Sequence, residues 1–159
     1  MTAPADPGTL EVNAATAEDM KVLGRALGRA MRVGDVVGLT GPLGAGKTTL
    51  TQGIAAGLDV PSNRHVASPT FALVNEHAAR VPFVHADFYR LRNQAELTEL
   101  GLDEIYDRAA VVIEWVDLFP AAVPADHLHI TITPLPHDVR TLTLRWTGPS
   151  GSRLAAAIG

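Results

Sequence analysis

Val36-Val37-Gly38-Leu39-Thr40-Gly41-Pro42-Leu43-Gly44-Ala45-Gly46-Lys47-Thr48-Thr49-Leu50 joins an apolar run, a complete G-x-x-x-x-G-K-T loop and the opening of a helix without interruption. Strand, glycine loop and helix in that order are the context in which this pattern cradles phosphate groups. Glycines at 41, 44 and 46 permit backbone turns that a Cβ would forbid, so successive N–H groups can converge on one anion. A helix running on to Leu58 adds the equivalent of about half a positive charge at its N-terminus. Gly41, Pro42, Leu43, Gly44, Ala45, Gly46, Lys47, Thr48 and Thr49 are therefore read as a nucleoside triphosphate site. In it Lys47 neutralises the β- and γ-phosphates and the Thr48 hydroxyl holds Mg²⁺.

The whole composition suits one globular unit around that loop. A chain of 159 residues, 47% hydrophobic and 19% charged, can bury a full core as a single domain. The Pro-, Ala- and Gly-rich residues 1–10 read as a flexible tail and residues 11–159 as one P-loop ATPase domain. Without cysteine there are neither disulfides nor thiolate metal sites. No apolar run approaches the ~20 residues of a membrane span, and the start lacks the basic and apolar regions of a secretory signal, so a cytoplasmic location away from membranes is expected. The net charge is −4 with scattered basic residues, so any contact with RNA is expected to be indirect, through a partner.

Hydrophobic spacing fills in the elements. Met20, Leu23, Leu27 and Met31 repeat at helical intervals behind Thr16-Ala17-Glu18-Asp19, giving a helix over 17–31. Residues 71–76 and 81–85 are strand-like and too close together for a helical crossover, which predicts an antiparallel hairpin. Helical spacing covers 93–107 with a break at Gly101, Val111-Val112-Ile113 reads as a second buried strand, and 127–133 and 141–146 alternate as half-exposed strands. A short helix over 152–158 ends the chain. The expected fold class is α/β: a P-loop NTPase-like mixed sheet flanked by helices, with an antiparallel hairpin and a strand-rich C-terminal part.

A phosphate loop needs an acidic partner for its metal, commonly at the end of a buried strand. Glu114 follows the stronger apolar strand and is assigned to Mg²⁺ beside Thr48. Asp87, after Phe83-Val84-His85-Ala86, is given the second role, orienting the attacking water or a metal-bound water; the pattern alone also admits the exchange of the two. Thr70, in Ser68-Pro69-Thr70, can reach the γ-phosphate or Mg²⁺ as a switch-loop threonine does, or simply cap a turn. The catalytic set is thus Lys47, Asp87 and Thr70. Arg64 and Arg90 are candidates for stabilising transition-state charge, and Trp115 reads as core. The six histidines have no zinc-like grouping.

Lys21 and Lys47 are the only lysines, so the Asn-Lys-x-Asp guanine-reading motif cannot exist here and ATP is favoured over GTP. The adenine is placed near the entry to the first helix, between Val12 and Glu18, with Thr16 as its contact.

These residues resemble the TsaE (YjeE) family of bacterial ATPases of tRNA threonylcarbamoyladenosine synthesis. The likeness is carried by the phosphate loop, Ser68-Pro-Thr-Phe-Ala-Leu-Val74, His85-Ala-Asp-Phe-Tyr-Arg-Leu91, Glu99-Leu-Gly-Leu102 and Val112-Ile-Glu-Trp115, from about residue 16 to residue 115 in order. The resemblance implies that Lys47, Thr48, Asp87 and Glu114 handle ATP and Mg²⁺, and that TsaD and TsaB are partners whose complex the ATPase resets between turnovers. Ala86-Asp87-Phe88 departs from the Phe-Asp-Leu common in that family, which changes the packing behind the carboxylate. A small-molecule kinase is the rival reading; it requires an arginine-bearing lid, for which the sparse arginines beyond Arg108 leave little room.

Overall fold

The computed structural model describes residues 7–61 and 74–159. Its elements run β1 (Gly8–Ala14), α1 (Ala17–Ala30), β2 (Val36–Thr40), α2 (Lys47–Gly57), β3 (Val74–His77), β4 (Phe83–Asp87), α3 (Gln94–Glu99), α4 (Leu102–Tyr106), β5 (Ala110–Glu114), β6 (Leu128–Pro134), β7 (Arg140–Trp146) and α5 (Pro149–Ala156). The strands form one seven-stranded sheet in the order β1-β7-β6-β2-β5-β4-β3. Its centre is parallel, β2 pairing with both β5 and β6 and β4 with β5. Both edges are antiparallel. This is the mixed α/β sheet expected from the sequence, hairpin included.

Two apolar layers hold the sheet. On one face α1, α2 and α5 cover Val37, Leu39, Val112, Leu128, Ile130, Leu142 and Leu144 with Met20, Leu27, Leu50, Ile54 and Leu154. On the other, Val36, Val84, Val111 and Ile113 meet Leu97, Leu102, Ile105 and Tyr106 from α3 and α4. With both faces covered, β5 is buried at every position and reads as a continuous apolar run up to Glu114 at its end. Beyond β2 the second cover stops, so β6 and β7 alternate buried and part-exposed residues.

α1 and α2 cross where Gly24 and Gly28 meet Gly53 and Gly57. A Cβ on Gly53 would lie 2.6 Å from the Lys21 carbonyl oxygen and 3.0 Å from the Gly24 Cα, and one on Gly24 would lie 2.8 Å from the Gly53 Cα. Small residues four apart on each helix allow this backbone contact, which seats α2 close against α1. Since α2 begins at Lys47, the same contact fixes where the phosphate loop ends.

The helix break expected near Gly101 is real: Gly101 has φ 65° and separates α3 from α4. Gly8, Thr9 and Leu10, expected within a flexible segment, belong to β1 and pair with Trp146, Arg145 and Leu144 of β7; residues 1–6 lie outside the described residues. Leu10, Val12 and Ala14 point one way and Thr9, Glu11 and Asn13 the other, a two-residue alternation that a Pro- and Gly-rich neighbourhood masks. The partner strand lies more than a hundred residues away, so only non-local pairing reveals it. The 71–76 strand starts within the described residues at Val74, and its first part lies outside them.

Candidate functional site

The loop leaves the carboxyl end of β2, one of two strands flanked on both sides by parallel neighbours, where open α/β sheets form a crevice. Gly44 has φ 79° and Gly46 φ 111°, both in the region that a side chain makes costly. Gly46 is also the N-cap of α2, so the cap position has no side chain to bond that end, and no acidic residue stands in its first turn. The N-terminus of this eleven-residue helix thus carries its positive dipole end without a capping carboxylate of its own, a setting that suits an anion. The loop's carbonyls are engaged by cations instead: Lys47 Nζ donates to Gly41 O and to Pro42 O at 2.9 Å, and Arg140 Nε donates to Ala45 O at 3.0 Å.

The two carboxylates arrive from adjacent parallel strands. Asp87 ends β4 and Glu114 ends β5, and they are register partners, so strand pairing sets them side by side at the loop. Glu114 is 2% exposed; its Oε1 accepts from Thr48 Oγ1 at 3.3 Å, and its Oε2 accepts from His85 Nε2 at 2.5 Å. Asp87 Oδ1 accepts from the Tyr89 amide at 2.9 Å. Burial raises the Asp87 carboxyl above the ordinary aspartate range and nearby Glu114 adds to this, against the Tyr89 hydrogen bond and the charges of His85 and Lys47. Burial also lowers Lys47, countered by Glu114, Asp87 and Asp117.

Lys47, Thr48, Thr49, Asp87, Arg90 and Glu114 share one cavity of about 410 Å³. Leu43, at the loop tip, and Tyr89 line its mouth and are exposed. A second cavity of about 430 Å³ adjoins the first through Gly46 and Thr49, and brings Thr16 together with His137, Asp138 and Arg140. Thr16 itself caps α1, its side chain accepting from the Asp19 amide at 3.0 Å. His137 and Asp138 in this wall both have positive φ, 64° and 61°. A larger cavity of about 500 Å³, near Thr9, His127 and Trp146, contains none of the loop residues. Volume alone therefore does not locate the chemistry. Thr70 and Arg64 lie outside the described residues.

Trp115, expected in the core, packs only partly there. Its ring lies under the Lys47 ammonium, 4.2 Å from Nζ to centroid, and against Tyr89 at 4.9 Å between centroids. It follows Glu114 with φ 59°, a conformation rare for a bulky residue, which turns the chain sharply at the strand end. His85 and Tyr89 likewise carry no motif of their own. His85 stands two residues before Asp87 on a strand and so shares its face, which is the one sequence signal that points to it.

The donor set suits a hard divalent cation: one hydroxyl and carboxylate oxygens. Among the described residues no group of three or more His, Cys, Asp or Glu side chains is placed to hold a metal unaided. Among the described residues no helix is long and apolar enough to cross a membrane.

A parallel-centred sheet with a glycine loop, lysine and threonine at the end of its central strand defines a P-loop NTPase-like protein. The family is narrower than that class. Residues 14–142 match the family described as "Threonylcarbamoyl adenosine biosynthesis protein TsaE", and the chain belongs to it. It is 40% identical over 140 residues to the tRNA threonylcarbamoyladenosine biosynthesis protein TsaE of Mycobacterium tuberculosis, covering 81% of this chain and 82% of that one. To the Bacillus subtilis protein of the same name it is 38% identical over 133 residues, covering 82% of each. The crystal structure of Bacillus subtilis YdiB superposes with a TM-score of 0.81 at 29% identity, covering 96% of this chain and 95% of that one.

Proposed function

We propose that this protein is a Mg²⁺-dependent ATPase that supports tRNA N6-threonylcarbamoyladenosine modification by acting on a TsaD–TsaB complex in the cytoplasm. The observation that carries the reading is the meeting of Lys47, Thr48, Glu114 and Asp87 around the amides of one loop. Family membership supports the pathway.

Phosphoryl transfer to water asks for charge neutralisation and alignment more than for covalent chemistry. The N-terminal amides of α2 and the Lys47 ammonium bind the triphosphate, with Lys47 exchanging the Gly41 and Pro42 carbonyls for phosphate oxygens. Thr48 and Glu114 would hold Mg²⁺, which when bound offsets phosphate charge. Asp87, its proton affinity raised by burial, orients the water and accepts its proton. Thr70 is assigned to the γ-phosphate. The base is assigned to the adjoining cavity, which Thr16, His137 and Arg140 line.

If alignment is completed only on the partner, the isolated chain hydrolyses ATP slowly. A reconstituted mixture tests this directly. TsaD and TsaB together should raise turnover, and an unchanged rate would count against the coupling.

A further inference from the structure

We infer that His85 is the positioning residue of the metal carboxylate, holding Glu114 in the rotation that presents its other oxygen to Thr48. The inference rests on the nucleotide-site reading above and assigns a role to a side chain that the mechanism has not used.

His85 lies mid-strand between Val84 and Ala86 and is fully buried. An imidazole there costs free energy unless its polar atoms are bonded. Its Nε2–H donates to Glu114 Oε2 at 2.5 Å, while Nδ1 is buried with no hydrogen-bond partner among the described residues. The polar side of this imidazole is thus committed to one acceptor. A core filler at that position would be apolar, as Phe83 is on the same strand face.

The strand register explains why position 85 can do this. His85 pairs with Val112 and Asp87 with Glu114, so His85 lies one pleat below both carboxylates on their own face. The terminal torsion of a glutamate is broad and roughly two-fold, so burial alone does not fix the carboxylate plane. Hydrogen bonds from different sides to different oxygens do fix it: His85 on Oε2 and Thr48 on Oε1. When the Thr48 hydroxyl turns to an ion, the His85 bond can stay, and it keeps the carboxylate in place. Partners of metal ligands act in this way, and losing one typically lowers metal affinity by about 10- to 100-fold.

The test titrates Mg²⁺ calorimetrically into protein saturated with a non-hydrolysable ATP analogue. His85→Leu and His85→Asn remove the donor or shorten its reach, while His85→Gln keeps an N–H at comparable reach. Expected are metal-free analogue affinities close to that of the wild type in all three, a Mg²⁺ affinity weakened by about 10- to 100-fold in Leu and Asn, and recovery to within about threefold in Gln. Should the leucine variant not fold, Asn against Gln carries the same comparison. Equal Mg²⁺ titrations in wild type and the loss variants, or a glutamine variant as weak as asparagine, overturn the inference alone. A wild-type protein that binds no analogue removes the nucleotide reading and this inference together.

Discussion

Lys47 Nζ rests 4.2 Å above the centre of the Trp115 ring while it donates to carbonyls of its own loop. A desolvated cation–π contact of this kind contributes about 2 kcal/mol or less. A triphosphate can therefore outbid it. Trp115 then loses its cation, and its emission should report the event. In a Trp146→Phe background Trp115 is the sole tryptophan. Mg-ATP should change its fluorescence saturably, and Lys47→Ala should abolish the change. A flat signal with nucleotide bound would show that Lys47 does not leave the ring.

Asp87 is held at a cost to stability. Its folded-state pKa lies above the ordinary 3.8, mainly through burial, so between those values the folded chain binds more protons than the unfolded one. Stability therefore falls as pH rises through that window, and the penalty persists above it. Asp87→Asn should raise the melting temperature at pH 7, with the gain vanishing below pH 3.8. Hydrolysis should drop by about 100-fold or more with ATP still bound. Calorimetric melts and steady-state turnover check the two halves.

Asp126 has the opposite sign. Burial pulls its carboxyl up, but hydrogen bonds from the Gly151 and Ser150 amides outweigh that and set it below the ordinary aspartate value. It caps α5 from a distant loop, both bonds being 3.0 Å. A depressed pKa contributes stability above the unfolded value and loses it as pH falls through the folded one. Asp126→Ala should cost about 0.5–2 kcal/mol at pH 7. The deficit should shrink below pH 3.8 in denaturant titrations.

Gly53→Ala tests the helix crossing. The added methyl meets backbone atoms of Lys21 and Gly24, which cannot rotate aside as a side chain would. A loss of about 1–3 kcal/mol is expected, and about 2–4 °C in melting temperature for each of these. Nucleotide affinity should fall with it, since α2 carries Lys47 and Thr48. Ala56, exposed on the same helix, supplies the control: Ala56→Ser should change little.

Local chemistry was legible in the sequence and long-range geometry was not. The loop, the strand before it, the break at Gly101 and the two strand-end carboxylates follow from residue types and periods within short windows. β1 escaped because its partner, β7, lies at the other end of the chain and its own composition resembles a tail. Trp115 reads as core because a large aromatic after an apolar strand packs inward; its positive φ, invisible in the sequence, turns it to the site instead. The His85–Glu114 bond depends on parallel register between β4 and β5, which no single segment encodes. The sequence puts Thr16 near the base by position alone; that it shares a cavity with His137, Asp138 and Arg140 depends on where β7 and the turn before it lie in the sheet.

If the amides from Leu43 to Thr48 hold a triphosphate, a crystal structure with a non-hydrolysable ATP analogue and Mg²⁺ should show phosphate oxygens on those amides, Lys47 swung away from Gly41 and Pro42 onto the β- and γ-phosphates, and the ion between Thr48 and Glu114. Lys47 still on its own carbonyls, with the analogue bound elsewhere or nowhere, would contradict that placement of the triphosphate.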